Sequence, residues 1–191
     1  MRHRAGLDHE TVIQAAANLL DEQGLEQLSL TRLAERLGIR TPSLYNYVNN
    51  LADLKRELAR YSSRELLRHL TRATIGKAGN EAVFALADAY RAYARTHPAC
   101  YALTQQVADL EDRELREIDE ETVNVARAVL APYRLSEVNM LHAIRGLRSF
   151  IHGFVSLEIS GGFGLPLSPD ESFHWSLNVL IAGLEQAQHS L

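Results

Sequence analysis

The sequence predicts an all-α protein of about nine helices. Strand signals are almost absent, because alternation of apolar and polar residues does not persist and no Asn-Gly or Asp-Gly hairpin turn occurs. Apolar residues instead recur at spacings of three and four between glycines, prolines and capping residues. The 191 residues, 46% hydrophobic and 23% charged, are typical of a globular protein and exclude intrinsic disorder.

The first three predicted helices follow one another closely, and the second and third are short. The second covers about Leu30 to Leu37, and Gly38 breaks it. We expect Thr41 to cap the third helix, with Pro42 at its first position, where the missing N–H is harmless. The first helix is capped by Asp8, ends at Gly24 and has the apolar residues Val12, Ile13, Ala16, Leu19 and Leu20.

The remaining six helices are longer on average. Asn49 or Asn50 caps the fourth, Ser136 caps the eighth, and Ser168 with Glu171 forms a capping box for the ninth. The eighth helix is apolar almost all round, so we expect it to be buried. Helices four to seven are predicted at about residues 51–74, 80–96, 98–107 and 111–131, and glycines 161, 162 and 164 close helix eight.

Charge is distributed unevenly along the chain. The formal net charge is −4, which excludes binding to polyanions by bulk charge alone. Residues 28–60 nevertheless hold six basic residues against three acidic ones. This arrangement arises by chance unless the basic residues share one face of a DNA-contacting element. The six are Arg32, Arg36, Arg40, Lys55, Arg56 and Arg60.

Other features of composition bear on source and compartment. Of the 20 basic residues, 18 are arginines, which indicates a GC-rich coding genome and a bacterial source. No apolar run reaches the ~18–20 residues that a membrane-spanning helix needs, and no signal-peptide core follows the first residues. The single cysteine, Cys100, cannot form an intramolecular disulfide. We therefore expect a cytoplasmic protein that does not bind membranes.

The segment from residue 30 to 48, LTRLAERLGIRTPSLYNYV, carries the chemistry. Two short amphipathic helices that meet at Gly38 are typical of a helix-turn-helix, with Ala34 small where the helices cross. Arginine reads guanine, asparagine reads adenine, and hydroxyls bind phosphates. The alternative is an ordinary helical hairpin with a polar surface. The side chains predicted to enter a major groove are Arg40, Thr41, Ser43, Asn46 and Tyr47.

This region resembles the DNA-binding domain of tetracycline-repressor (TetR) family regulators over about residues 8–60. The matching motifs are Leu33-Ala34, Leu37-Gly38-Ile39, Pro42-Ser43-Leu44-Tyr45 and Asp53-Leu54. The resemblance implies base-edge contacts from Arg40, Thr41 and Pro42 and phosphate contacts from Ser43, Tyr45 and Tyr47. With these, the predicted DNA-binding set contains Thr31, Arg32, Asn46 and Lys55.

Three positions depart from the family pattern. The family usually has an aromatic residue at the position of Val48 and often a histidine at that of Tyr47. It usually has a phosphate-contacting lysine where this chain has Leu51. We expect Lys55, one turn further on, to take over that contact.

The second half of the chain resembles a TetR-type C-terminal domain. The resemblance is carried by LRSFIHGFVSLE at residues 147–158, by GGFG at 161–164 and by Ser172-Phe173, with His152-Gly153 as the hallmark pair. It implies that helices five and six help to enclose an effector cavity. The alternative is that their aromatic residues only pack the core. The candidate ligand-binding residues are Tyr90, Tyr93, Tyr101, Gln105, Arg148 and His152.

Helices eight and nine each carry a row of small residues beside apolar ones. Small residues at helical spacing let another helix approach closely, so the two rows suit a four-helix interface between two copies of the chain. The alternative is that the rows face helices of the same subunit. The predicted dimer residues are Ser149, Gly153, Ser156, Ser176, Leu180 and Gly183.

Catalytic and metal sites have no support in the sequence. His142 and His152 point about 80° apart on the eighth helix, and His97 and Cys100 have no second ligand pair nearby. The acidic run from Asp109 to Glu121 is best explained as a solvated helix face. No nucleophile elbow, dinucleotide fingerprint or phosphate loop occurs. We expect no cofactor, no metal and no enzymatic activity.

These observations predict a ligand-responsive regulator of transcription. We expect a helix-turn-helix DNA-binding domain at residues 1–50, a connecting helix at about 50–74, and a ligand-binding and dimerisation domain at 51–191. The expected partners are double-stranded palindromic operator DNA, a small hydrophobic or aromatic effector and a second copy of the chain. The alternative is a small-molecule-binding or interaction protein whose helix-turn-helix no longer binds DNA.

Overall fold

The computed structural model describes residues 7–105 and 112–187. Over these residues it contains nine α-helices and no strand, which confirms the all-α prediction. No helix within them is both long and apolar enough to cross a membrane. The helices are α1 (His9–Gln23), α2 (Leu30–Leu37), α3 (Thr41–Leu44), α4 (Leu51–Thr74), α5 (Gly79–Thr96), α6 (Pro98–Thr104), α7 (Arg113–Leu130), α8 (Glu137–Ile159) and α9 (Pro169–Ala187).

Most predicted helix ends are confirmed because they depend on local hydrogen bonds. Asp8 accepts from Thr11 N at 2.8 Å to cap α1, and Ser136 caps α8. Gly38, with φ of 65°, adopts the left-handed conformation that ends α2. The prediction for α3 is wrong in detail: Thr41 is already helical, Arg40 occupies the capping position, and the helix has only four residues.

The chain divides into two compact units, and the first is larger than its helix-turn-helix. It contains Met1–Glu65 together with His97–Arg116. Its apolar core combines α1 to α3 with Leu54 and Leu58 of α4 and with Cys100 and Leu103 of α6. The short helix α6 therefore belongs to the same core as α1. The sequence analysis placed a boundary at residue 50 between the DNA-binding domain and the ligand-binding domain. That functional boundary stays a prediction.

The second unit, Leu66–Thr96 with Glu117–Leu191, is built on packing among α5, α8 and α9. The expectation that α8 is buried all round is wrong. Its buried residues are Met140, Leu147, Ile151 and Val155. The opposite side is open, because the other helices of the unit cover only one face of α8. The apolar residues exposed there are Val138 (63%), Leu141 (41%), Leu157 (51%) and Ile159 (46%).

A buried arginine joins three helices of this unit, α5, α8 and α9. Arg91 of α5 is only 5% exposed and donates to both carboxylate oxygens of Glu158 on α8, at 2.8 and 2.6 Å. It also pairs with Asp170 at the start of α9, at 2.7 Å, and lies 4.8 Å from the centroid of the Phe173 ring. The bond to Glu158 raises the pKa of Arg91 although burial opposes the charge.

Candidate nucleic-acid interface

The helix-turn-helix is fixed by a small apolar core and one tight turn. Leu33 and Ala34 of α2 and Leu44 of α3 are at most 1% exposed. Gly38 supplies the positive φ at the turn, and Ile39 N donates to Ala34 O at 3.0 Å. After α3, the N–H groups of residues 47 and 48 both bond to the carbonyl of residue 44, which continues the turn. This rigid frame leaves the polar side chains of α3 and the following turn on the surface.

Most of the predicted DNA-binding residues lie on that surface. Tyr45 is 57% exposed although it is aromatic, and it directly follows the fully buried Leu44. An exposed aromatic hydroxyl beside small polar residues suits contact with phosphates. The exposed members of the set are Thr31, Arg32, Arg40, Pro42, Ser43, Tyr45 and Asn46, while Thr41, Tyr47 and Lys55 are half-buried.

The basic surface is smaller than the sequence count suggests. Arg36 forms a two-pronged pair with Glu22, at 2.6 Å for each bond, and its guanidinium holds the pKa of Glu22 below the usual range. Arg60 is paired with Asp112 at 3.0 Å and with a second carboxylate one turn away. Arg56 lies 3.4 Å from Asp53. These three cations are committed to carboxylates of their own unit.

Three of the six basic residues between positions 28 and 60 have no carboxylate partner in the described part of the chain. Within residues 7–105 and 112–187, neither Arg40 nor Lys55 forms an ion pair. Arg32 makes only a neutral hydrogen bond, from its Nη1 to Gln23 Oε1 at 2.7 Å. A guanidinium bonded to a neutral amide has no carboxylate to give up, and it can exchange that bond for one to a phosphate.

The Tyr47 hydroxyl, which was expected to contact phosphate, makes a hydrogen bond within the protein. The Tyr47 ring is half-buried, and the hydroxyl donates to the carbonyl of Leu7 at 2.9 Å. The hydroxyl therefore has a protein acceptor in this structure, and the phosphate contact that the family resemblance implied for it stays a prediction. The same bond ties the chain just before α1 to the turn that follows α3.

The start of α4 explains one departure from the family pattern. Asn50 caps the helix by accepting from Asp53 N at 2.9 Å, and Asp53 in turn accepts from Asn49 N, which lowers the pKa of the Asp53 carboxyl. Leu51 sits in the first turn, half-buried against the apolar core. Lys55 lies one turn further along the same helix face.

A structural contact that the sequence reasoning missed lies at the other end of α1. One oxygen of Asp21 accepts from Ala99 N at 3.1 Å and from Cys100 N at 2.9 Å, and the other is 2.8 Å from His97 Nδ1. Asp21 thus caps α6. The sequence did contain a signal for this contact, because Asp21 lies in the last turn of α1. A carboxylate there interacts unfavourably with the helix dipole, which indicates that it has a partner elsewhere.

The predicted effector residues are not brought together into one described site. Tyr90 and Tyr93 are buried in the second unit, and the Tyr93 ring lies 5.3 Å from that of His69. Tyr101 and Gln105 belong to the first unit. In the second unit Arg148 is exposed and His152 is half-buried. Burial raises the pKa of Asp119, and Arg148 opposes this shift.

One small cleft is present in the second unit, but it involves other residues. It measures about 170 Å³, below the ~300 Å³ usual for ligand sites, and is lined by the segment that joins α8 to α9. Among the described residues, no three histidine, cysteine or acidic side chains are placed to hold a metal ion. The lining residues are Gly162, Phe163, Gly164, Leu165, Leu167, Pro169 and Ser172.

The predicted dimer residues lie largely on the outside of the single chain. Ser149, Gly153, Ser156 and Gly183 are exposed, and Ser176 and Leu180 are half-buried. A Cβ atom added at either glycine would meet nothing within 4 Å in the described part of the chain. These positions are therefore open to another molecule.

Comparison with known proteins places both halves in one family. Residues 12–58 match the family described as "Bacterial regulatory proteins, tetR family". Residues 83–180 match the family described as "Tetracyclin repressor-like, C-terminal domain". These matches do not single out the His152-Gly153 pair, so its standing as a hallmark stays a prediction.

Whole-length relatives agree with these matches. The chain is 33% identical over 95% of its length to an uncharacterized HTH-type transcriptional regulator of Mycobacterium tuberculosis, covering 84% of that protein. It is 30% identical to the regulator YobS of Bacillus subtilis, over 96% of both chains. A solved protein of unknown function from Rhodococcus sp. RHA1 has the same fold, with a TM-score of 0.82 at 20% identity over 97% of this chain and 99% of that one.

Proposed function

Because the chain belongs to the tetracycline-repressor family of bacterial transcriptional regulators, we propose that it is a homodimeric repressor that a small effector releases from a palindromic operator. The observation that carries the proposal is the exposed face of α3 and the turn after it. There Arg40, Ser43, Tyr45 and Asn46 point away from a rigid core. This surface combines a base-reading arginine and asparagine with phosphate-binding hydroxyls.

Two recognition surfaces are needed to read a palindrome. Half-sites one helical turn apart, roughly 34–36 Å, are read together only by a linked pair of modules. The uncovered apolar side of α8, with Val138 and Leu157 more than half exposed, supports self-association through the second unit. On α9, Trp175 is 70% and Val179 is 55% exposed. Open space at Gly153 leaves room for a close helix contact.

The second unit supports a proposal for the effector. We propose a small apolar or aromatic molecule held by Tyr90 and Tyr93, with Arg148 and His152 supplying polar contacts. Few polar groups in apolar surroundings are what such ligands require. Binding of the effector by Tyr101 and Gln105 was predicted from the sequence and stays a prediction. Mass spectrometry of the purified protein would identify a molecule that it carries, and addition of that molecule should release DNA.

The test of DNA binding is a gel shift with the DNA upstream of the protein's own coding region. A random duplex of equal length is the control. We expect specific binding that weakens steeply between ~50 and ~200 mM salt, because several cations and hydroxyls displace counterions from phosphates. Affinity that is flat over this range would exclude DNA as the main partner.

The rival function is a small-molecule-binding or interaction protein whose helix-turn-helix no longer binds DNA. The observation that favours it is Leu51, which packs on the core where the family usually has a phosphate-contacting lysine. A Leu51→Lys variant separates the two. Under the rival, wild type fails to shift DNA and the lysine restores binding. Under the proposal, wild type binds already and the lysine only strengthens it.

A further inference from the structure

The last turn of α1 holds two arginines of α2 in two different ways. Glu22 and Gln23 are the final residues of α1, and both are exposed. Glu22 accepts two hydrogen bonds from Arg36, each 2.6 Å long. Gln23 Oε1 accepts one hydrogen bond from Arg32 Nη1, at 2.7 Å. Of two arginines that lie one turn apart on α2, one is therefore bound to a carboxylate and the other to a neutral amide.

The two pairings differ in how much positive charge they leave for another partner. A phosphate that approached Arg36 would compete with both oxygens of the Glu22 carboxylate. The bond to Gln23 uses only one N–H group of the Arg32 guanidinium, which carries several. Within residues 7–105 and 112–187, the Arg32 guanidinium makes no other hydrogen bond or ion pair. A phosphate can therefore bind the remaining N–H groups while Gln23 stays in place.

Arg32 lies where a contact with the DNA backbone is expected. It belongs to the first turn of α2, and Ser29 caps this turn by accepting from Arg32 N at 3.3 Å. The first helix of a helix-turn-helix crosses the DNA backbone while the second enters the groove. Leu33 and Ala34, which follow Arg32, are buried in the core. The backbone of Arg32 is thus fixed, and only its long side chain remains to be held.

We propose that Gln23 is a positioning residue for DNA binding, which holds the Arg32 guanidinium for a phosphate without neutralising it. This inference rests on the proposed function. A long side chain loses rotamer freedom when it binds a partner, and one that is already ordered loses less. A neutral amide orders the guanidinium and leaves its charge available. A carboxylate at the same position would order the guanidinium but would also compete with the phosphate for it.

The first experiment measures the salt dependence of DNA binding by fluorescence anisotropy. The probe is a labelled duplex from the DNA upstream of the protein's own coding region. In Gln23→Glu, a carboxylate of nearly the same shape faces Arg32, and each subunit should lose one phosphate contact. For a dimer, the slope of log K against log salt should become shallower by about 1.8. Between ~50 and ~200 mM salt, wild type should then lose about 12-fold more affinity than the variant.

Two controls separate the pairing with Arg32 from the effect of an added negative charge. Gln14→Glu makes the same substitution at an exposed residue of α1 and should keep the wild-type slope. Gln23→Glu is also made in the Arg32→Ala background. If the new carboxylate acts through Arg32, it changes binding in that background no more than Gln14→Glu does. A further loss of affinity there would show that the carboxylate repels DNA directly, and it would overturn the inference.

The second experiment removes the amide and leaves the charge. Gln23→Ala should weaken binding severalfold at every salt concentration, because the Arg32 side chain must then be ordered by the DNA. Its salt slope should stay that of wild type, since Arg32 remains charged. Stronger binding by Gln23→Ala would show that the amide competes with phosphate for the guanidinium, and it would overturn the positioning role. Gln23 is exposed, so circular dichroism should show the helix content of wild type in each variant.

The outcomes separate this inference from the proposed function. If wild type binds the duplex and either Arg32→Ala or Gln23→Glu keeps its affinity and salt slope, the inference is overturned while the function stands. If wild type binds no DNA at any salt concentration, the proposed function fails and the inference with it. A shallower slope in Gln23→Glu that disappears in the Arg32→Ala background supports both.

Discussion

Removal of the Asp21 carboxylate should release α6 from α1. In Asp21→Ala, the N–H groups of Ala99 and Cys100 lose their acceptors, and the Cys100 backbone lies at a residue that is only 2% exposed. Loss of a helix N-cap costs about 0.5–2 kcal/mol, and a buried unsatisfied donor adds about 1–3 kcal/mol. These ranges add to about 1.5–5 kcal/mol, and we expect a cost near their middle, about 2–4 kcal/mol. A helix of seven residues is too short to persist alone, so α6 should open as a unit.

The assay uses the single cysteine of the chain as a reporter. Burial, together with the Asp21 charge, raises the pKa of Cys100 to about 12, so the folded thiol scarcely reacts with a disulfide reagent near neutral pH. Labelling then follows local opening of α6. A cost of at least about 2 kcal/mol corresponds to labelling about 30-fold faster than in wild type, since 1.4 kcal/mol is tenfold.

Two control variants test whether faster labelling is caused by loss of the Asp21 carboxylate. Asp21→Asn keeps an oxygen that can accept both N–H bonds, so its rate should lie much closer to wild type. Glu22→Ala removes a carboxylate from the same turn of α1, but Glu22 pairs with Arg36 and not with α6, so labelling should remain near the wild-type rate. If Asp21→Ala labels Cys100 no faster than wild type does, the carboxylate does not hold α6 on α1.

Three further predictions follow from the same structure. Arg40→Ala should relax sequence preference at one base pair by about 1–3 kcal/mol. Tyr45→Phe should instead weaken binding to specific and random duplexes alike, because a phosphate contact carries no base information. If Arg40→Ala weakens binding to both duplexes equally, Arg40 does not read a base. Gly153→Leu should reduce dimer formation in sedimentation while circular dichroism stays helical, because the added side chain projects into open space on α8, and a dimer that persists would place the interface elsewhere. Above pH ~9, the unfolding free energy of wild type should fall relative to that of Cys100→Ala by about 1.4 kcal/mol per pH unit. The reason is that burial raises the pKa of the Cys100 thiol, so in this range the thiol ionises only in the unfolded chain. Below pH ~8 the two proteins should show the same pH dependence.

Helix positions were predictable because they depend on neighbours in the chain. Asp8 and Ser136 cap helices whose N–H groups lie three residues away, and Gly38 ends α2 through its own backbone conformation. Errors arose where local signals were balanced. Thr41 is as good a capping residue as any, yet the helix begins with it and not after it.

The sequence by itself determined the helix content, the helix-turn-helix and the family, because each is written in short motifs or apolar periodicity. Only the tertiary structure decided which charges are available to bind DNA. Arg60 is paired with Asp112, which lies 52 residues away in the sequence. The Tyr47 hydroxyl donates to the carbonyl of Leu7, which lies 40 residues away in the sequence. It also decided that one face of α8 stays open, since the apolar character of a helix does not say which neighbours cover it. Contacts between distant segments depend on how helices pack, and that packing is a property of the whole chain and not of any motif.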